Sequence, residues 1–174
     1  FVTVRHVVRF CRRTFVAMSK NDEKWIGGLD VGTQSSRFVI FNQQGHCIAQ
    51  HQVKLPTSYP NEGWVEQNPE EMFSTATKAM NHVLEDLLSQ NLLSDPSELP
   101  SKLQGIGITN QRETTILWDK HSGEPLHPAI VWKDTRCQDI VDDLNSHLDD
   151  EERNRIQQKT GLRLSTYFSA LKVK

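Results

Sequence analysis

Three short apolar runs follow one another near the start of the chain, and the spacers between them are too short for anything but turns. Residues 25–30 and 37–41 read as strands on either side of the small-residue turn Val31-Gly32-Thr33-Gln34-Ser35-Ser36. Asn42-Gln43-Gln44-Gly45 then turns the chain into a third strand over 47–53. Strands joined this tightly pair antiparallel, because a parallel pair needs a long crossover. A loop broken by Pro56 and Pro60 follows, and then a strong helix start, Asn68-Pro69-Glu70-Glu71. Asn68 suits the cap, Pro69 the first helical position, and Glu71 the third place after the cap. Met72, Phe73, Ala76, Met80, Val83, Leu84, Leu87 and Leu88 recur on one face of that helix. A linker over 95–100 leads to a fourth strand at 103–109. A meander, one long one-sided helix and a further strand imply an α/β protein with a mixed sheet and helices on its faces.

The second half reads less regularly. Residues 115–118 and 129–132 read as strands, with a turn at 120–123. Asp134 is placed to cap a helix carrying Cys137, Ile140, Val141, Leu144 and Leu148. Another helix is expected over about 151–159, stopped by Gly161, and a last one from near Ser165.

Charge divides the chain unevenly. Residues 1–21 hold five basic residues (Arg5, Arg9, Arg12, Arg13, Lys20) and no acid, whereas 22–174 hold 15 basic and 22 acidic residues. The expected organisation is a basic leader over 1–21, an untranslated-type extension or a transit-like peptide, followed by an acidic body over 22–174. The three cysteines, Cys11, Cys47 and Cys137, are widely spaced, and the seven histidines show no metal-ligand spacing. No apolar run approaches the roughly 20 residues that span a bilayer. An acidic body repels nucleic acid, and the paired carboxylates of a two-metal nuclease are not evident.

Two polar stretches carry the chemistry. In Asp30-Val31-Gly32-Thr33-Gln34-Ser35-Ser36-Arg37 an acid at a strand end can hold Mg²⁺, Gly32 lets the backbone approach a phosphate, and Thr33, Gln34, Ser35 and Arg37 offer donors. The same residues suit a polar hairpin, and the P-loop pattern is absent. In Thr109-Asn110-Gln111-Arg112-Glu113-Thr114-Thr115 the donors of Arg112 beside the acceptors of Glu113 match vicinal hydroxyls, although taken in isolation the pair reads first as a surface ion pair. Trp132 and Tyr167 can pack on the carbon skeleton of a polyol or serve as core.

Taken in order, these runs, together with Glu62-Gly63-Trp64-Val65-Glu66-Gln67, Ala129-Ile130-Val131-Trp132, Thr160-Gly161-Leu162 and Tyr167-Phe168-Ser169-Ala170, resemble the glycerol kinases of the FGGY carbohydrate kinase family. Val31 stands where that family usually has Gln, and Gln34 where it has a second Thr or Ser. The resemblance implies that residues 22–174 are a partial FGGY kinase N-terminal domain, a ribonuclease-H-like, actin-like ATPase domain incomplete at its C-terminal end. It implies transfer of the γ-phosphoryl group of ATP, with Mg²⁺, to glycerol. Thr33, Gln34, Ser35 and Arg37 would face ATP and Asp30 the metal. Arg112, Glu113, Trp132 and Tyr167 would face glycerol, and the catalytic base would lie beyond Lys174. The expected partners are glycerol and ATP, with no nucleic acid and no indicated membrane contact. The parent enzyme is expected to be a homo-oligomer in the cytoplasm or, alternatively, the mitochondrion. A truncated chain lacking activity is expected, the alternative being a non-catalytic product that acts only by binding.

Overall fold

The computed structural model of the chain describes residues 23–173. The basic leader expected over 1–21 lies outside the described residues. In chain order the elements are β1 (Trp25–Val31), β2 (Ser35–Phe41), β3 (Cys47–Lys54), β4 (Glu66–Gln67), α1 (Pro69–Ser89), a 3-10 turn (Pro96–Glu98), α2 (Leu99–Lys102), β5 (Leu103–Asn110), β6 (Ala129–Ile130), α3 (Gln138–His147), α4 (Asp150–Thr160) and α5 (Ser169–Lys172). They fall into two compact units. Of the described residues, one holds 23–54 together with Ser74–Asn110, and the other holds Leu55–Phe73 and 111–173.

The first unit is a four-stranded mixed sheet in the order β3-β2-β1-β5. β1, β2 and β3 form the expected antiparallel meander, and β5 adds parallel to β1. A parallel neighbour requires a crossover, which α1 supplies. Alternation decides the faces. On β2, Ser36, Phe38 and Ile40 are buried, while Arg37 is exposed. Trp25 and Leu29 of β1 join the buried side, and Ala76, Ala79, Val83 and Leu87 of α1 cover it. Ser36 and Thr75 bond to each other inside this layer, oxygen to oxygen at 2.9 Å. The buried stripe of α1 begins at Thr75, so Phe73, expected within it, is 74% exposed. Ile106 and Ile108 of the edge strand β5 are also exposed.

The second unit has little regular sheet. β4 and β6 pair antiparallel through Glu66–Ile130 and Gln67–Ala129. The strand expected over 115–118 is present only as isolated pairings, Thr115 with Ile130 and Trp118 with Pro125. In the register set by the Thr115–Ile130 pair, Pro128 would stand opposite Leu117 with no N–H to give, and the Leu117 carbonyl accepts from Leu126 instead, which keeps this ribbon from extending into a ladder. At Gly63 φ is +75°, and a Cβ there would collide with the Thr135 hydroxyl. The Gly63 carbonyl accepts the Thr135 N–H at 2.8 Å, so this contact locks the loop ahead of β4. α4 begins in a full capping box between Asp149 and Glu152 and ends, as expected, at Gly161 in the left-handed conformation.

Two helix starts differ from the sequence expectation. α3 begins at Gln138, and Asp134 does not cap it because its carboxylate is engaged by Val65 and Arg136. α5 begins at Ser169 rather than near Ser165, after a turn in which the Phe168 N–H donates to the Ser165 carbonyl. The N–H and hydroxyl of Ser169 are both held by Glu113, which fixes that start. Among the described residues no helix is long and apolar enough to cross a membrane.

Candidate functional site

The phosphate-loop candidates lie on the sheet unit. The β1–β2 turn is closed by the Gly32 N–H donating to the Ser35 carbonyl at 3.0 Å, and a Cβ on Gly32 would stand only 3.1 Å from that oxygen. A glycine therefore permits the tight return of the chain. Thr33 and Gln34 form the tip, Gln34 exposed and Thr33 half-buried. Ser35 and Arg37 follow on the face of β2 opposite the core. Cross-strand register sets Asp30 of β1 and Gln52 of β3 on either side of Arg37. The Arg37 guanidinium turns to Gln52, donating to its Oε1 at 2.7 Å, and the Gln52 amide donates to Ser35 Oγ at 2.6 Å.

This donor set fits phosphoryl oxygens, since Ser35 and Arg37 both present N–H or O–H groups on an exposed surface. Asp30 is exposed at the strand end. Among the described residues no group of three or more His, Cys, Asp or Glu side chains could hold a metal. A cation at Asp30 would thus draw its remaining ligands from phosphate and water, the pattern Mg²⁺ favours.

The polyol candidates lie on the second unit and rest on a buried chain of side-chain hydrogen bonds. Gln67 donates to Thr57 Oγ1 at 2.8 Å, Gln111 to Gln67 Oε1 at 2.8 Å, and Thr114 Oγ1 to Gln111 Oε1 at 2.9 Å. The Trp132 N–H donates to Thr114 Oγ1 at 3.2 Å. Gln67 and Gln111 are both buried. This chain brackets Arg112 and Glu113 between two anchored neighbours and ties their loop to Trp132.

Glu113 has φ +62°, a left-handed backbone that a glutamate adopts only when its surroundings enforce it. Glu113 Oε2 accepts from the N–H and hydroxyl of Ser169 at 2.8 and 2.7 Å. Lys172 Nζ donates to the carbonyls of Glu113 and Tyr167 at 3.1 and 3.0 Å. The Ser169 hydroxyl and N–H, with the nearby Lys172 ammonium, hold the Glu113 carboxyl below its usual range despite partial burial. Burial in turn pushes the Lys172 ammonium down. Trp132 and Tyr167 meet edge to face, with ring centroids 6.1 Å apart, and Trp132 is 39% exposed. Three of the four polyol candidates, Glu113, Trp132 and Tyr167, thus come together. Arg112 is adjacent in sequence, exposed, and makes no side-chain hydrogen bond or ion pair among the described residues; Glu113 pairs with Ser169 rather than with it.

A second support is ionic. Asp134 is fully buried and accepts from the Val65 N–H at 2.6 Å and from Arg136 N, Nε and Nη2, each at 2.9 Å. Arg136 also donates to Glu66 at 2.8 Å and lies 3.9 Å over the Trp64 ring. Burial would raise the Asp134 carboxyl, yet the hydrogen bonds from Arg136 and Val65 outweigh it and hold it low. This network clamps the Gly63-Trp64-Val65-Glu66 run against the segment that carries Trp132. A separate open groove of about 550 Å³, lined by Pro56, Thr57, Glu70, Glu71, Leu126 and Pro128 among others, contains none of the candidates.

Sequence reasoning missed Gln52, Gln67, Gln111, Asp134, Arg136, Ser169 and Lys172 as supports. For Gln67, Gln111 and Ser169 the signal was present, since each lies inside a run that also carries a candidate or a motif residue.

Residues 25–174 match the FGGY family of carbohydrate kinases, N-terminal domain. The chain belongs to that family. Among curated relatives of this FGGY chain, the glycerol kinase of Brucella anthropi is 42% identical over 151 residues, 87% of the chain and 28% of the relative. The probable glycerol kinase of Caenorhabditis elegans is 37% identical over 150 residues, 86% of the chain and 29% of the relative. Among solved structures, the ADP-bound glycerol kinase of Plasmodium falciparum superposes with a TM-score of 0.69 at 32% identity, covering 86% of the chain and 28% of that protein. The xylulose kinase of Rhodospirillum rubrum superposes with a TM-score of 0.71 at 25% identity, covering 86% of the chain and 28% of that protein. The FGGY chain thus has the mixed α/β, actin-like ATPase fold of sugar kinases and spans little more than a quarter of its relatives' length.

Proposed function

We propose that this chain is part of an ATP-dependent glycerol kinase, carrying most of the acceptor half-site and one phosphate loop. The observation that carries the reading is the cluster of Glu113, Trp132 and Tyr167 beside an uncommitted Arg112, on a chain 37–42% identical to glycerol kinases. In this reading Arg112 donates to adjacent hydroxyls of glycerol, and Glu113, oriented by Ser169, accepts from one of them. The Trp132 and Tyr167 rings cover the carbon skeleton. Ser35, Arg37 and the turn at Thr33 and Gln34 hold phosphoryl oxygens of ATP. Mg²⁺, when bound, neutralises phosphate charge, and Asp30 is the carboxylate that would face it.

Phosphoryl transfer depends on holding two reactants in line, and alignment supplies roughly 7–11 kcal/mol of the barrier. Because the chain spans so little of its relatives, we propose that it binds without turnover on its own. The test is glycerol-dependent ADP release by the purified chain with Mg·ATP, for which no rate above background is expected. Turnover that survives repurification and vanishes in Arg112→Ala would overturn the inactivity. In a chain extended to the relatives' full length, Arg112→Ala should raise the KM for glycerol and leave that for ATP nearly unchanged. Arg37→Ala should do the reverse, and equal losses for both substrates would count against the assignment.

A further inference from the structure

Gln52 lies outside every run that pointed to phosphate, yet both of its side-chain partners are phosphate candidates. It stands on β3 directly across from Arg37. Arg37 Nη2 donates to its Oε1 at 2.7 Å, and its Nε2 donates to Ser35 Oγ at 2.6 Å. Chemistry dictates the orientation of this amide. A guanidinium has only donors, so the amide oxygen must face Arg37 and the amide nitrogen must face Ser35. Ser35 Oγ is therefore the acceptor, and its own hydrogen is left to point elsewhere as a donor. Arg37 spends one N–H on a neutral partner and keeps its full charge. No carboxylate forms an ion pair with it among the described residues.

We propose that Gln52 is a positioning residue of the phosphate half-site, holding the Ser35 hydroxyl and the Arg37 guanidinium as paired donors preset for phosphoryl oxygen. The inference rests on the nucleotide part of the kinase reading. An exposed amide bridge adds little to stability, so its value lies in the polarity it imposes. A carboxylate at position 52 would do the opposite while keeping the shape. It would pair with Arg37, cancel its charge, and accept from Ser35, turning the hydroxyl hydrogen away from any ligand.

The test is a titration of the 174-residue chain with inorganic pyrophosphate and with Mg·ADP, followed by backbone and arginine side-chain NMR, with urea midpoints in parallel. Wild type should bind through Ser35 and Arg37. Gln52→Glu should weaken binding by about tenfold or more and Gln52→Leu by several-fold, both at an unchanged urea midpoint. Gln50→Glu adds the same charge two residues along β3, where Gln50 pairs with Val39, and should weaken binding by no more than about twofold. Equal losses in Gln50→Glu and Gln52→Glu, or wild-type binding in Gln52→Leu, would overturn the inference. If Arg37→Ala loses both probes while both Gln52 variants bind normally, the positioning role fails and the nucleotide reading survives. If wild type binds neither probe, the preset donor pair is wrong, and glycerol binding judges the kinase reading separately.

Discussion

In the sheet unit the buried side chains are mainly Trp25, Leu29, Phe38, Ile40, Ala79, Val83 and Leu87, with the Ser36–Thr75 pair as a neutral polar contact among them. In the second unit Gln67, Gln111 and Asp134 are buried alongside Val65, Ala129 and Val131, and the loops are tied by amide, hydroxyl and guanidinium bonds. An apolar layer loses stability in proportion to the atoms removed, because its contacts are many and non-directional. A buried polar network depends on each partner, because the remaining member stays desolvated when one is lost. The acceptor candidates stand on the second kind of support. Their geometry is fixed by directional bonds, as a site that must register hydroxyl positions requires, and it is correspondingly easy to break.

The largest effect should come from Arg136→Ala. It leaves Asp134 buried without its guanidinium, a change that typically costs about 3–5 kcal/mol. Urea unfolding should register that loss. The double variant Asp134→Asn with Arg136→Met should be markedly milder, since no buried charge is then left alone. A single variant no worse than the double would show that the ionic clamp is not what holds this unit. Leu87→Ala tests the other unit and should cost roughly 2–5 kcal/mol through the cavity it leaves. Amide exchange should quicken across β1, β2 and α1 rather than around Gln111.

Gln111→Leu should be smaller, about 1–3 kcal/mol, from loss of the bonds to Gln67 and Thr114. Its distinguishing mark is local. The Trp132 amide should exchange faster and the left-handed backbone of Glu113 should relax, whereas Val83 and Leu87 should not change.

Acid separates the two units most gently. Glu113 is held low by the Ser169 hydroxyl and N–H, and Asp134 by Arg136 and Val65 against its burial. A carboxyl depressed in the folded state contributes stability above its unfolded pKa, near 4 for these types, and loses it as pH falls through the folded value. Lowering pH below about 4 should therefore reduce amide protection, measured against the intrinsic exchange rate at each pH, at Val65 and Ser169 before it does so at Val83 or Leu87. Simultaneous loosening of both sets would remove the distinction between the two supports.

The same contrast explains what was legible in the sequence. The meander and α1 follow from period-two and period-3.6 apolar patterns, because apolar burial in those elements is local and repetitive, and β5 was legible from its alternating apolar residues although Ile106 and Ile108 are exposed. The stop at Gly161 was equally legible, since a left-handed C-terminal glycine is a local signal. The strand expected over 115–118 shrank to single pairings because Pro128, across the ribbon, has no N–H to offer Leu117. Asp134 reads as a helix cap by type, and nothing local announces that Val65, far away in sequence, claims its carboxylate. The candidate residues themselves were found in order along the chain. Their supports, Gln52 for Ser35 and Arg37, and Gln67 with Gln111 for the Arg112–Glu113 loop, depend on partners 15 to 44 residues away and required the fold.

The most direct test of the acceptor assignment is an amide-shift map of the 174-residue chain titrated with glycerol. The account expects a saturable response confined to Arg112, Glu113, Thr114, Trp132, Tyr167 and Ser169, weakened at least tenfold by Arg112→Ala. The Asp30–Arg37 turn should stay unmoved. A response centred instead on the groove at Leu126 and Pro128, or one indifferent to Arg112→Ala, would contradict it.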